Sequence, residues 1–123
     1  MNIVYSGVVA ANVDGTGSPT VSSGRVEAEY DSTALVIDLG GAGPAAAVHD
    51  IYIECSESSG TFSIKYLPLG QSTFITPDGD DIDLSETGRG RRLTAAGIEK
   101  IQITPDSVAG TTEYTATVIG TAG

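Results

Sequence analysis

From His49 to Gly70, apolar and polar residues alternate one by one on both sides of a break at Glu57-Ser58-Ser59-Gly60. No other feature limits the fold so tightly. Ile51, Ile53 and Cys55 share one face of the first arm, against Asp50, Tyr52, Glu54 and Ser56 on the other. Phe62, Ile64 and Tyr66 alternate in the same way with Thr61, Ser63 and Lys65 on the second arm. A two-residue period is that of a half-buried strand. With turn formers between the arms, and Pro68 and Gly70 after them, the stretch is expected to be a β-hairpin.

The remaining segments repeat this alternation in shorter pieces. Ile3 to Val13 reads as a first strand with apolar residues on both parities, so both of its faces are expected to be covered. The turn formers from Asn12 to Pro19 make a loop, after which Val21 to Tyr30 reads as one strand with Val26, Ala28 and Tyr30 on its apolar face. Asp31-Ser32 is a turn, and Ala34 to Leu39 is a continuous apolar run suited to a central strand. Gly40 to Pro44 is a loop. Pro77-Asp78-Gly79-Asp80 is expected to join Ser72 to Thr76 and Asp81 to Leu84 as a second hairpin. Glu86 to Arg92 reads as a polar loop, Ile98 onward as a strand ended by a turn at Pro105-Asp106-Ser107, and Glu113 to Ile119 as the last strand. About eight or nine short strands with no sustained helical period imply an all-β chain, a single antiparallel β-sandwich over residues 1–123 of immunoglobulin-like or jelly-roll type. The paired cysteines and tryptophan of antibody-type domains are missing, since the chain has one Cys and no Trp.

Charge narrows the choice of partners. Sixteen acidic and six basic side chains give a formal net charge of −10, which repels a phosphate backbone, so nucleic acid is not an expected partner. The first residues, MNIVYSGVVAANV, carry no Lys or Arg ahead of the apolar residues and are interrupted by Ser6, Gly7 and Asn12. Neither a signal peptide nor a membrane span is expected from them. The single Cys55 allows no internal disulfide and reads as a small buried hydrophobe.

Candidate chemistry is sparse. The Gly40-Gly41-Ala42-Gly43 cluster lacks both the spacing of a dinucleotide turn and the Lys-Ser/Thr end of a phosphate loop. His49 would have to serve any histidine-dependent mechanism, yet Cys55 lies about 20 Å along the same strand, out of reach. His49 is expected at a strand edge near solvent. Asp78, Asp80, Asp81, Asp83 and Glu86 form the densest acidic cluster, but the order does not match an EF-hand, with Gly79 second and Ile82 fifth from Asp78. No metal site, cofactor or catalytic residue is assigned, and the chain is not expected to be an enzyme. Gly88-Arg89-Gly90-Arg91-Arg92 concentrates three of six basic residues in a short segment. Arg89, Arg91 and Arg92 are expected to form an interface with Asp78, Asp80 and Asp81 of the same or a neighbouring copy.

The chain resembles the small all-β virion proteins of tailed bacteriophages, such as capsid decoration proteins. The likeness rests on richness in Gly, Ala, Thr and Val, scarce Lys and Cys, a start directly in a strand, and segments such as STALVIDLGG and GIEKIQITP. It implies a non-enzymatic part of a particle, located in the virion and made in the host cytoplasm. Its implied partners are further copies of itself, a trimer being favoured, and the major capsid or other virion proteins. A carbohydrate-binding module or other β-sandwich adhesion module is the alternative that shares the expected fold.

Overall fold

A computed structural model describes residues 2–86 and 89–122. Ten strands follow one another as β1 (Ile3–Asn12), β2 (Thr20–Gly24), β3 (Glu27–Asp31), β4 (Ala34–Asp38), β5 (Val48–Cys55), β6 (Thr61–Pro68), β7 (Ile82–Asp83), β8 (Gly90–Leu93), β9 (Ile98–Asp106) and β10 (Glu113–Thr121), with one 3-10 turn at Gly40–Ala42. They form two antiparallel five-stranded sheets in the orders β2-β1-β10-β5-β8 and β3-β4-β9-β6-β7. The inward parities of both sheets build one core, led by Leu35, Ile37, Ile51, Phe62, Ile64, Ile101, Ile103, Tyr114 and Val118. The chain is an all-β sandwich.

The His49 to Gly70 stretch is not a hairpin. Its arms are β5 in the first sheet and β6 in the second, so the chain crosses the core at Glu57 to Gly60 and places the two apolar faces opposite each other. An inward-facing parity satisfies the hydrophobic requirement equally well in either arrangement, which is why alternation alone did not separate them. Val21 to Tyr30 is likewise two strands in two sheets, crossing at Arg25-Val26. Val26 plugs the space beside Gly7, where any Cβ on Gly7 would collide with it.

Four more expectations change. Ser72 to Thr76 and Asp81 to Leu84 do not pair with each other; Ile75 bridges Tyr66 and β7 pairs Thr61 and Phe62, so both run along β6. Gly90 to Leu93 is strand β8 at an edge, with His49 opposite Leu93 and Asp50 opposite Arg92. Gly88, grouped with the arginine segment, lies outside the described residues. Strand β9 continues through Pro105 because its neighbour β4 pairs only as far as Ile103, leaving no ladder bond for the missing N–H to break. β1 is covered on one face only: Tyr5, Val9 and Ala11 are buried, Val4 and Val8 half-buried, and Ile3 is 67% exposed.

Candidate functional site

His49 is not near solvent. It is fully buried, on the inward parity shared with Ile51 and Ile53, and its Nδ1 lies 2.6 Å from the Tyr5 hydroxyl. Gly120 makes this possible, since the Tyr5 ring lies against its bare Cα and a Cβ there would overlap the ring. His49 Nε2, Thr121 Oγ1 and Tyr114 Oη are buried without a hydrogen-bond partner among the described residues. Burial lowers the His49 pKa, opposed by the nearby Ala46 carbonyl and by Asp50, and burial raises that of Tyr5. The imidazole packs against the Tyr5 ring, at 5.6 Å between centroids, with no exposed surface.

The folded state takes up the His49 proton less readily than the unfolded chain, whose imidazole titrates near the ordinary 6.5. The unfolded state therefore binds more protons as pH falls below that value, and stability declines from there downward. Asp14 and Asp83, held low by hydroxyl and amide hydrogen bonds from Thr16 and Ser85, lose their stabilising charge only below the ordinary 3.8. The melting midpoint is expected to drop between pH 7 and pH 5 and, in His49→Leu, to start lower and stay level over that window. Calorimetry at several pH values checks this, and equal slopes in the two proteins would contradict it.

Of the expected interface residues, Arg91 and Asp78 meet, through a backbone carbonyl, while Arg89 and Arg92 bind other groups of the chain. Arg91 donates to the carbonyl oxygens of Asp78, at 2.7 Å, and of Pro77, at 3.3 Å, tying the β8 edge of one sheet to the loop before β7 in the other. Arg89 donates to the Cys55 carbonyl at 2.7 Å. Arg92 grips Asp50 with two bonds of 2.7 and 3.1 Å. Asp78, Asp80 and Asp81 are exposed, and Asp83 spends its carboxylate on Ser85. No group of three or more His, Cys, Asp or Glu among the described residues is placed to hold a metal ion.

The most distinctive surface was not among those residues. Across the outer face of the first sheet, Ser23 and Thr20 on β2 stand beside Val8 and Ala10 on β1, which stand beside Thr117 and Thr115 on β10, with Ile119 and Ser6 further along. None of these side chains is charged. Tyr52 on β5, 48% exposed, borders the stripe opposite Thr117 and covers Gly90. Among the described residues, charge enters this face at Glu113 at the end of β10, at Glu54 and Asp50 on β5 opposite Thr115 and Ile119, and at Arg92 on β8. The outer face of the second sheet differs: Glu27, Glu29 and Asp31 on β3, Asp38 on β4, Lys100 on β9 and Lys65 on β6 spread charge across it. Parity marked these residues as outward, but only the strand order places Val8, Thr117 and Tyr52 side by side. Comparison with protein-family models, curated proteins and solved structures gave no match.

Proposed function

We propose that this chain is a non-enzymatic structural component of a tailed-bacteriophage virion, a capsid decoration or other head-associated protein. It attaches to the capsid surface through the outer face of its first sheet and associates with further copies of itself, a trimer being the favoured form. The observation that carries this reading is the contrast between the two outer faces. A chain of net charge −10 keeps one whole stripe of threonine, valine, alanine and serine free of charge and places a tyrosine at its border. Depletion of charge at the centre, an aromatic residue, and polar groups at the rim are the pattern of a protein interface core. The likeness to virion proteins supplies the partner class.

Tyr52 also supports a second reading, because an exposed ring on a flat sheet is what a carbohydrate-binding module stacks against a sugar. One experiment separates them. Mass spectrometry of density-purified phage particles from the source culture is expected to find the chain in a copy number comparable to that of the major capsid protein. Its absence from particles, with selective binding on a glycan array, would overturn the virion reading.

A further inference from the structure

We infer that copies of this chain join head to tail, the acidic β3 edge of one copy against the arginine-bearing β8 edge of the next. The inference rests on the self-association proposed above and names the surfaces that make it. β2 runs into β3 through Arg25 and Val26, so these two edge strands lie on one side of the sandwich, one in each sheet. β8 and β7 close the opposite side, bridged by Arg91. The first side therefore carries Arg25 at the level of the first sheet and Glu27, Glu29 and Asp31 at the level of the second. The opposite side carries Arg89, Arg91, Arg92 and Asp50 at the level of the first sheet, and Asp78, Asp80, Asp81 and Asp83 at the level of the second.

That checkered layout selects one docking. Joining like sheet to like sheet would press Glu27, Glu29 and Asp31 against the four aspartates, which is repulsive. Turning the next copy by half a turn about the line that joins the two, so that β3 of one meets β8 of the next and β2 meets β7, sets the carboxylates against the arginines and Arg25 against the aspartates. Arg89 and Arg91 spend donors on carbonyl oxygens, and Glu27, Glu29 and Asp31 are exposed, with Arg92–Asp50 the ion pair found among the described residues. The contact uses different surfaces on the two partners, so it propagates from copy to copy, as a ring where the rotation closes and as an open filament where it does not. An edge about 17 Å long and about 20 Å across offers roughly 340 Å², less than half of a standard interface half, so the contact is weak away from a particle.

Sedimentation velocity at about 1 mM protein tests this, in about 0.1 M salt where whole-body repulsion is screened beyond roughly 10 Å. The wild type is expected to show a weight-average mass above the monomer that falls back in 1 M salt. Glu27→Lys with Glu29→Lys, and separately Arg89→Glu with Arg92→Glu, are each expected to weaken association about tenfold or more. An equimolar mixture of the two variants is expected to regain the wild-type mass, because each supplies the edge the other lacks. If Arg89→Glu prevents folding, as a melting curve would show, Arg92→Glu alone serves in the mixture. Variants that associate as the wild type does, or a mixture that stays monomeric, would overturn the edge contact and leave self-association standing. A wild type that is monomeric throughout would overturn both.

Discussion

Truncating Phe62 to alanine is expected to cost about 3–5 kcal/mol of stability, the range for removing a large aromatic ring from a closed core. Phe62 on β6 has no exposed surface, and its ring centroid lies 4.7 Å from that of Tyr114 on β10, tilted by 55°. The pair joins the two sheets at one point of the core, so the loss combines buried area, the edge-tilted aromatic contact and the void left behind. Against a total of about 5–15 kcal/mol for a domain, this consumes a large share, and the melting midpoint should fall by about 15 °C. Tyr114→Phe is a control: its hydroxyl is buried without a partner among the described residues, so its removal should change stability by less than about 1 kcal/mol. Calorimetry reads both, and a Phe62→Ala protein melting within a few degrees of wild type would show that this contact does not hold the sheets together.

Which residues face the core was legible almost throughout, because alternation fixes parity. Ile101 and Ile103, Phe62 and Ile64, and Tyr114, Ala116 and Val118 all point inward as their spacing requires. Which strand lies beside which was not legible. Glu57 to Gly60 has the composition of a hairpin turn and serves as a crossing between sheets, and nothing in its residues alone distinguishes the two. At Arg25-Val26 a signal was present, since Gly24 just before it takes a φ of +90° that a continuous strand would not need. The burial of His49 is consistent with the parity it shares with Ile51 and Ile53, but the Tyr5 hydroxyl that accommodates it lies 44 residues away in the chain, out of view of any local pattern. The uncharged face is the hardest case. It gathers Val8, Thr117 and Tyr52 from the two ends and the middle of the chain, so no local window contains it.

That face carries the larger functional prediction, and Thr117 is its centre. β10 is the middle strand of the first sheet, and Thr117 sits between Val8 and Tyr52 with its side chain outward and half-buried. Thr117→Arg leaves the core untouched, so the melting midpoint should hold, while a bulky guanidinium is forced into the middle of any contact the face makes. Desolvating such a charge costs about 3 kcal/mol or more, a factor of about 100 in affinity. Thr104, half-buried on the outer face of the charged second sheet, provides the comparison, because Thr104→Arg makes the same chemical change away from the proposed contact. The decisive measurement is the retention of each variant on density-purified particles assembled in its presence. The virion reading predicts that wild type and Thr104→Arg are retained alike and that Thr117→Arg, folded and equally abundant, is lost; retention of Thr117→Arg at the wild-type level would contradict it.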